Sequence, residues 1–589
     1  MQDGVATSIR QFLITLWLIG ALEGLALPHS PATMAGVPVG ELRGRGAAVA
    51  FVEHEAESAV FVGELLGPSR RFGTIPAEAS GRRAVRLGAP GDGIEFTLSR
   101  PANAITVRYA LPDSVDGRGL NATLGVQLGS EPNGRLALTS RLSWFYGDYP
   151  FTNRPADGKP HHVFAETRLL LGRTLPAGVK VRLAGLAGAP WAAIDLADFE
   201  LVAPPLPQPA GALSIVAFGA DPAGKADSHP AIARAIGAAR RAGKPVWIPP
   251  GTFRVERHIM VDRVAILGSG PWHSILSGNG VGLYGGKAPR GSTGVTLRNF
   301  AVIGRVGERV DKAQLAGIGG AIGGGSSIEN LYLQAHKVGI WLDGPLKRLT
   351  IRNLRIVDQA ADGINLRRGA RRVTIEHVFV RGSGDDGIAL WSHREADAGI
   401  RLVNNTVVAP TLANGIAVYG GRDIALFRNL VADSVTQGGG IHLGNRFDAV
   451  PLAGAIILSE NLIVRSGSFD PNWRFGIGAL WFYALDHPIA ASITLEQTEI
   501  RDSTLPAVHF IGKPISGVGL ERLRIHGAGH ALQLQSAGSA LFRDVTASGL
   551  RSGGLLRCNP DFRLDLRNAD ALASPASASC EPARENPLP

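Results

Sequence analysis

The stretch RRVTIEHVFVRGSGDDGIALWS, residues 371–392, belongs to a series of similar segments that decides the fold. It aligns with KRLTIRNLRIVDQAADGINLRRG (347–369), and also with SSIENLYLQAHKVGIWLDG (326–344), AGIRLVNNTVVAPTLANGIAVYGG (398–421) and RDIALFRNLVADSVTQGGGIHLG (422–444). Each segment has a strand ending near Asn or His, a second short strand, a turn, and a third strand opened by Gly-Ile. The Gly-Ile glycines are Gly339, Gly363, Gly387, Gly415 and Gly440, at intervals of 24, 24, 28 and 25 residues. Three strands per repeat at this period predict a parallel β-helix, with one coil per segment.

Length and composition agree with an elongated, strand-rich chain. The 589 residues exceed one ordinary core, and the sequence has 76 glycines, 19% charged residues and only 6% aromatic residues, a profile typical of short strands and tight turns. The net charge of +10 comes from scattered arginines, without a Lys/Arg stripe or interleaved aromatic residues. We therefore expect no nucleic-acid partner.

Two domains are expected between the chain ends. Residues 36–203 carry short alternating segments such as NAITVRYALP and GVKVRLAGL, which predict an antiparallel β-sandwich. APPLPQPAGA supplies a proline-rich linker over 204–212, and the β-helix is expected over 213–550. One amphipathic helix after Ser228 is expected to cap the open end of the β-helix. The predicted fold class is all-β: a right-handed parallel β-helix preceded by a sandwich, with one capping helix.

The two chain ends differ in character from these domains. Residues 1–26 place Arg10 before a short apolar run with small residues near its end, which is typical of a signal peptide. Residues 551–589 are rich in Ala, Ser and Pro, so we expect a poorly ordered tail. Export would allow a disulfide between Cys558 and Cys580, the only two cysteines, although two free thiols are the alternative.

The repeat brings three aspartates together. In the Gly-Ile alignment Asp362 and Asp386 occupy the same position on adjacent coils, which lie about 4.8 Å apart. Asp385 is offset by one residue, so its side chain would point elsewhere in an extended strand but would open into the same groove from a turn. The alignment predicts three carboxylates within a patch of about 10 Å.

Such a cluster has three interpretations. Repulsion between like charges raises at least one pKa and keeps one group protonated, as glycoside hydrolysis requires of an acid working beside carboxylates that activate water. Calcium also prefers several carboxylate oxygens. Asp-Gly is, in addition, a common turn dipeptide. Catalysis, a calcium site and simple turn chemistry all remain open from the residues alone.

Residues near the Gly-Ile position on these coils are candidates for substrate binding. Aromatic faces there would stack on sugar rings, and neighbouring polar side chains would hydrogen-bond to them. The candidates are Trp341, Trp391, Tyr419, His442, Asn445, Arg446 and Trp481. As a set along one groove they fit a polysaccharide better than a single ion.

The chain resembles glycoside hydrolase family 87, the mycodextranases and α-1,3-glucanases. The resemblance rests on the 23- and 24-residue spacing from Asp362 to Asp385 and Asp386, on SWFYGDYPFTNRPADGKPHHVFAETRLLLGRTLPAGVKVRL (143–183) in the sandwich, and on the entry segment FGADPAGKADSHPAIARAI. It covers about residues 36 to 500. It implies that the sandwich is similar to a carbohydrate-binding module. It also implies a β-helix hydrolase in which Asp385 is the general acid, Asp362 and Asp386 position the water, and the anomeric centre is inverted.

Three other functions are compatible with a β-helix that carries these aspartates. Polygalacturonases share an Asp followed by Asp-Asp, but the coils that should carry their Gly-His-Gly and Arg-Ile-Lys read ANGIAVYGG and GGGIHLGNR, which disfavours an acidic glycan. A polysaccharide lyase on the same fold is a second rival. A non-catalytic surface β-helix that only binds glycan is a third.

The sequence thus predicts a secreted or periplasmic enzyme that cleaves α-1,3-glucosidic bonds inside α-1,3-glucan or nigeran. We expect a monomer with a polysaccharide substrate and no membrane contact after signal cleavage. We also expect no catalytic metal and no cofactor, although a structural calcium ion is compatible with the sequence.

Overall fold

A computed structural model of the protein describes residues 32–129, 131–582 and 588. The described chain is almost entirely β-structure, with an antiparallel sandwich, a parallel β-helix and one α-helix, so the predicted fold class is confirmed. No helix in these ranges is long and apolar enough to span a membrane. The expected signal peptide, residues 1–26, lies outside the described residues.

The sandwich consists of two antiparallel sheets. Its strands are β1 (Thr33–Met34), β2 (Val37–Pro38), β3 (Phe51–Glu55), β4 (Val60–Val62), β5 (Glu64–Leu66), β6 (Ala84–Leu87), β7 (Gly93–Thr97), β8 (Ala102–Ala110), β9 (Asn121–Leu128), β10 (Glu131–Thr139), β11 (Phe164–Leu175), β12 (Lys180–Ala187) and β13 (Ala192–Glu200). One sheet runs β11-β8-β13-β3-β1-β2 with β5 and β6 beside it, and the other runs β10-β9-β12-β7-β4. Alternate residues such as Ile94, Phe96, Leu124 and Ile194 form the apolar core between the sheets.

The β-helix begins after the linker and is capped by the α-helix. The first strands are β14 (Leu213–Ser214), β15 (Val246–Ile248), β16 (Gly251–Arg254), β17 (Ile259–Met260), β18 (Ala265–Gly268), β19 (Ser274–Ser277), β20 (Leu283–Tyr284), β21 (Ser292–Thr293), β22 (Thr296–Ile303), β23 (Ala316–Gly320), β24 (Ile322–Gly323) and β25 (Ser326–Gln334). Helix α1 (His229–Ala242) ends at Gly243, whose φ of 63° is in the left-handed region that glycine tolerates. It buries Ile232, Ala235 and Ile236 in the same core as the first coil.

The central coils follow the repeat found in the sequence. Their strands are β26 (Val338–Asp343), β27 (Leu346–Arg352), β28 (Arg355–Gln359), β29 (Ile364–Arg367), β30 (Ala370–Glu376), β31 (Phe379–Ser383), β32 (Ile388–Trp391), β33 (Arg401–Val403), β34 (Thr406–Val408), β35 (Ile416–Tyr419), β36 (Arg422–Phe427), β37 (Leu430–Ala432) and β38 (Ile441–Asn445). The isoleucines of Gly-Ile stack in register: Ile340, Ile364, Ile388, Ile416 and Ile441. The sequence alignment therefore gave the correct coil register.

A glycine precedes each isoleucine because the adjacent coils lie too close together for a side chain there. A Cβ on Gly387 would lie 2.3 Å from Cγ1 of Val407 and 2.6 Å from the carbonyl oxygen of Gly415. Neither atom can withdraw without disturbing the neighbouring coil. Glycine at this position therefore lets one coil stack on the next.

The last coils extend beyond the expected boundary. Their strands are β39 (Ala453–Ser459), β40 (Leu462–Val464), β41 (Ser468–Asp470), β42 (Phe475–Ile477), β43 (Leu480–Ala484), β44 (Ser492–Glu496), β45 (Glu499–Arg501), β46 (Pro506–Glu521), β47 (Arg524–Ala528), β48 (His530–Arg543), β49 (Thr546–Leu550), β50 (Leu555–Arg557) and β51 (Phe562–Arg567). Both β50 and β51 pair with β48, and Phe562 is buried in the core. The prediction of a poorly ordered tail from residue 551 was wrong, because FRLDLR still alternates apolar and polar residues. The structure joins Cys558 to Cys580 by a disulfide in this region.

The sandwich packs on the β-helix through buried charges. On the β-helix side Arg381 donates hydrogen bonds to Glu166 and Asp198 of the sandwich, each at 2.6 Å. Arg355 reaches the same two carboxylates at 2.8 and 2.6 Å. Since Arg381 lies on β31, the strand that leads directly to Asp385, this interface abuts the predicted site.

Candidate active site

The three aspartates lie where two adjacent strands end. Asp362 follows β28, while Asp385 and Asp386 follow β31 in a bend between Ser383 and Ile388. The amide of Gly363 donates to the carbonyl of Asp386 at 3.1 Å, which places Asp362 and Asp386 at equivalent positions on adjacent coils. One carboxylate oxygen from each of the three side chains lies within 4.8 Å of the others. The cluster is thus tighter than the patch expected from the sequence.

Asp386 is the buried member of the cluster and is fixed by three donors. Its Oδ1 accepts hydrogen bonds from the backbone amide of Asn414 at 2.8 Å and from the Asn414 side chain at 2.9 Å. Its Oδ2 accepts from the Tyr419 hydroxyl at 2.8 Å. Burial, and then the charge of Asp385, raise the pKa of Asp386 to about 7 in spite of these donors.

Asp362 is half-buried and faces the same space. Its Oδ2 accepts a hydrogen bond from Nδ2 of Asn365 at 2.8 Å. Burial raises the pKa of Asp362 well above its usual value, and the charges of Asp385 and Asp386 raise it further. The cluster therefore retains protons near neutrality, which an acid catalyst needs.

Asp385 is half-buried and pairs with an arginine. Its Oδ2 accepts from Nη2 of Arg309 at 2.5 Å, and its Oδ1 accepts from the backbone amide of Asp386 at 3.0 Å. Arg309 also donates to the carbonyl of Gly384 at 3.0 Å. Both oxygens of Asp385 therefore accept from N–H donors, and Oδ2 forms an ion pair with the guanidinium.

The arginine comes from a segment without regular structure, residues 304–315, between β22 and β23. This 304–315 segment is held by Asn153 of the sandwich, whose Nδ2 donates to the carbonyl of Gly307 at 2.7 Å. The Tyr149 hydroxyl of the sandwich donates to Asp311 of the segment. Lys337 of the β-helix donates to the carbonyl of Asp311 at 2.6 Å. Both domains thus contribute to the wall of the site.

The contacts of the cluster bear on the calcium interpretation. The three carboxylates are the one group within the described ranges whose geometry would suit a metal ion. However, the oxygens of Asp386 accept from Asn414 and Tyr419, and Asp385 is neutralised by Arg309. Calcium takes six to eight oxygen ligands. Protein donors already bind oxygens of Asp385 and Asp386, so the cluster suits proton transfer better than coordination of calcium. We do not assign these residues as metal ligands.

Three of the expected substrate-binding side chains stay partly open. Trp341 lies under Nζ of Lys337, 3.9 Å from its ring centre, and pairs in register with Asn365 beside Asp362. Trp391 lies under Arg367. Arg446 is half-exposed over the rings of its neighbours. Each keeps surface through which a ligand could contact it.

Four other expected contacts need correction. Trp481, His442 and Asn445 are all 0% exposed, so none offers a surface to a sugar. Trp481 donates instead to Oδ1 of Asn414 at 2.8 Å, and His442 packs against Trp481. Trp473, from the turn between β41 and β42, covers this face. Tyr419 is nearly buried and acts on Asp386, as described above.

Sequence reasoning missed several residues of the site. Asn414 occupies the repeat position of Asp362 and Asp386, so the alignment itself carried that signal. Arg309 had no such signal, since the 304–315 segment interrupts the repeat, whereas Lys337 lies inside a repeat, two residues before Gly339, as Asp385 lies two residues before Gly387. Tyr149 lies in the other domain, and only the folded structure brings it to the site.

Comparison with known proteins agrees with this geometry. Residues 48–202 match the family profile described as alpha-1,3-glucanase catalytic domain D1, and residues 226–447 match catalytic domain D2. The catalytic unit of the thermostable glycoside hydrolase family 87 alpha-1,3-glucanase from Streptomyces thermodiastaticus strain HF3-3 is 37% identical, with a TM-score of 0.82, over 90% of this chain and 98% of that one. No curated protein matches the chain.

Two further solved structures share the fold at lower identity. The Agl-KA catalytic domain is 23% identical with a TM-score of 0.81, and it covers 89% of this chain and 99% of its own. A family 87 alpha-1,3-glucanase catalytic domain in complex with nigerose is 24% identical with a TM-score of 0.79, over 88% and 99% of the two chains. Both domain profiles, the 37% identity over most of the chain, and a cluster of three carboxylates at the domain junction lead to one conclusion: this chain belongs to glycoside hydrolase family 87 and is a glucan hydrolase.

Proposed function

We propose that the protein cleaves α-1,3-glucosidic bonds within α-1,3-glucan or nigeran, with inversion of the anomeric carbon. The observation that carries the proposal is the cluster of three carboxyl groups, of which Asp362 and Asp386 have raised pKa values while Asp385 is paired with Arg309. Glycoside hydrolysis requires a protonated and an ionised carboxyl group in one site at the same time. Three carboxyl groups in such different surroundings are suited to divide these two roles.

In this proposal Asp385 is the general acid, and Asp362 and Asp386 position the attacking water. Asp385 must first take up a proton, and Asp362 and Asp386 are the nearest groups that hold one. When that proton moves to Asp385, its donor becomes the carboxylate that accepts a proton from water. The proton on Asp385 then goes to the leaving glycosidic oxygen, so one transfer prepares both the acid and the base.

The replaced positions in a solved relative support these roles. Catalytic domains of a family 87 alpha-1,3-glucanase were solved with nigerose or tetrasaccharides after single aspartates were changed to alanine. Those aspartates are spaced 23 and 24 residues apart, the same spacing that separates Asp362 from Asp385 and Asp386 here.

Inversion is proposed from the shared water rather than from the carboxylate separation. Carboxyl groups of inverting enzymes are commonly about 6.5–9.5 Å apart, and those of retaining enzymes about 5–5.5 Å apart. The nearest oxygens here lie within 4.8 Å, which by itself would favour retention. With Asp362 and Asp386 on one side of a water and Asp385 on the leaving-group side, attack comes from the opposite face of the sugar.

A cavity between the sandwich and the β-helix, lined in part by Tyr149, is a candidate subsite for an oligosaccharide. It has a volume of about 210 Å³ and is lined by Tyr149 and Phe151 of the sandwich and by Leu412 and Gln437 of the β-helix. Tyr149 contacts Asp311 of the 304–315 segment, and Leu412 lies two residues before Asn414. Sugar units on one side of the scissile bond would occupy it, which agrees with cleavage inside a chain.

The remaining features of the proposal follow from the mechanism and the chain. Proton transfer among carboxyl groups needs no cofactor. Action on a polysaccharide outside the cell would require export to the periplasm or the medium, and we propose that residues 1–26 serve as the signal peptide. A monomer suffices, because both domains of one chain form the site.

The test is reducing-end release by the purified protein from α-1,3-glucan, nigeran, dextran and polygalacturonate. Release from α-1,3-glucan or nigeran alone is expected, with oligosaccharides of several lengths as early products. Release from polygalacturonate, or unsaturated products that absorb ultraviolet light, would contradict the proposal. Proton NMR of the first products distinguishes inversion, which gives β-anomers, from retention, which gives α-anomers.

A further inference from the structure

The proposed mechanism assigns no role to Arg309, the arginine that contacts Asp385. Nothing in the repeat requires a cation at this position, yet the guanidinium is buried, with only 7% of its side chain exposed. It donates to Asp385, Gly384 and Asp311 at 2.5, 3.0 and 2.9 Å. A buried arginine with partners on both of its edges is fixed in position.

We propose that Arg309 is a positioning residue that determines which carboxyl group of the cluster holds the proton, and that the sandwich domain holds Arg309 in place. This inference rests on the proposed function. It makes the sandwich part of the hydrolytic machinery instead of an accessory domain for glycan capture.

Several charged and titratable groups surround the cluster. Asp362, Asp385 and Asp386 repel one another, and burial adds to the cost of ionising them. Arg309 is the cation in direct contact with the cluster, while Lys337 acts on Asp362 from farther away and has a pKa lowered to about 8 by burial. Asp311 and Tyr149 complete the surroundings of the guanidinium. Without Arg309, the three carboxyl groups would repel one another without compensation and would bind protons more tightly.

The position of Arg309 depends on the contacts of the 304–315 segment. Residues 304–315 form no strand, and the segment contacts both domains. Its two ends and Lys337 bind it to the β-helix, while the contacts on either side of Arg309 come from the sandwich. Asn153 donates to the carbonyl of Gly307, two residues before Arg309, and the Tyr149 hydroxyl donates to Asp311, two residues after it. The rings of Tyr149 and Phe151 lie 5.6 and 5.5 Å from the guanidinium. Arg309 is therefore held on both sides by one loop of the other domain.

The first experiment measures kcat/KM against pH for the full-length wild type, Arg309→Met and Arg309→Lys on soluble α-1,3-linked oligosaccharides. Removing the positive charge should move the bell-shaped profile of Arg309→Met upward by roughly one to three pH units, the usual effect of a nearby opposite charge. Arg309→Lys should restore part of the shift. A profile that stays in place, even at reduced height, would overturn the proposal and leave Arg309 a structural residue.

The second experiment tests the role of the sandwich. Tyr149→Phe keeps the ring and removes only the hydroxyl that reaches Asp311. We expect kcat to fall severalfold and the pH profile to shift in the same direction as in Arg309→Met. Tyr146→Phe is the matched control, because its hydroxyl donates to Asp113 within the sandwich at 2.9 Å, away from the segment. A raised KM with an unchanged kcat in Tyr149→Phe would instead identify a glycan-capture surface and contradict the proposal.

A third measurement separates this inference from the proposed function, because it needs no substrate. Thermal unfolding of Arg309→Met, Asp385→Asn and the double variant forms a double-mutant cycle. A clear interaction between the two changes is expected if the pair exists in the folded protein. Strictly additive changes would refute the pair, whatever the wild type hydrolyses, whereas the wild-type activity assay alone decides the substrate.

Discussion

The hydroxyl of Tyr419 donates a hydrogen bond to Oδ2 of Asp386 at 2.8 Å, and the two residues stand on adjacent coils. Asn414, which follows Asp386 by one repeat, holds the other oxygen. Asn414 is held in turn by the buried indole of Trp481, at 2.8 Å. Residues from the adjacent coil, supported by Trp481 from two coils further on, thus fix the orientation of one carboxyl group.

Tyr419→Phe should therefore weaken catalysis without unfolding the protein. In the wild type, the hydrogen bond from Tyr419 favours the ionised form of Asp386. Its loss in the variant therefore raises the pKa of Asp386 above about 7. If ionised Asp386 positions the water, the acid side of the kcat/KM profile moves to higher pH. A hydrogen bond to a charged group is worth about 1.5–3 kcal/mol, which corresponds to a rate loss of roughly ten- to hundredfold.

The control for Tyr419→Phe is Tyr109→Phe. The Tyr109 hydroxyl is hydrogen-bonded to the backbone of Thr139 in the sandwich core, far from the cluster. Its loss should lower the melting temperature and leave the pH profile unchanged. If both variants keep the wild-type profile, Tyr419 does not act on the reaction through Asp386.

The raised pKa of Asp386 also predicts how stability depends on pH. Between the ordinary aspartate pKa and about 7 the folded protein holds a proton on this group that the unfolded chain releases, so the group costs stability as pH rises through that range. Asp386→Asn removes the cost. We expect the melting temperature of the variant, relative to wild type, to be higher at pH 8 than at pH 4, as measured by calorimetry in matched buffers. An equal difference at both pH values would show that the carboxyl group titrates normally.

The buried ion pairs between the domains should be sensitive to the loss of one partner. Arg381→Met leaves Glu166 and Asp198 with less compensation in a fully buried place, a loss that typically costs about 3–5 kcal/mol. Arg428→Met removes the exposed pair with Glu460 at 3.1 Å and should cost less than about 1 kcal/mol. Urea unfolding of both variants tests the contrast. Equal losses would mean that the interface charges contribute no more than surface pairs.

The sequence predicted what the repeat determines. The stacking of Asp362 on Asp386 follows from the Gly-Ile register, since each coil must place its isoleucine inside and its glycine against the next coil. The entry helix followed from its apolar spacing and from Gly243. These features depend on short-range patterns that recur from coil to coil.

What the sequence did not predict depends on insertions and on the other domain. Trp481 and His442 occupy outward positions that the repeat would leave open, but the insertion carrying Trp473 covers them. Arg309 lies in a segment that breaks the repeat, and Tyr149 comes from the sandwich. The strands β50 and β51, over residues 555–567, were missed, because the composition of this region outweighed one short alternating stretch.

The most direct test of the account is the initial rate of reducing-end release from α-1,3-glucan by wild type, Asp385→Asn and Asp397→Asn, each shown to be folded by circular dichroism and melting temperature. Asp397 is the matched control, a buried carboxyl group on nearby coils whose pKa burial also raises to about 7, but which accepts from the backbone of Ala370 outside the cluster. The account predicts that Asp385→Asn loses activity by a factor on the order of 10² to 10⁴, while Asp397→Asn retains it. A folded Asp385→Asn variant that hydrolyses α-1,3-glucan at the wild-type rate would contradict the assignment of this cluster as the catalytic centre.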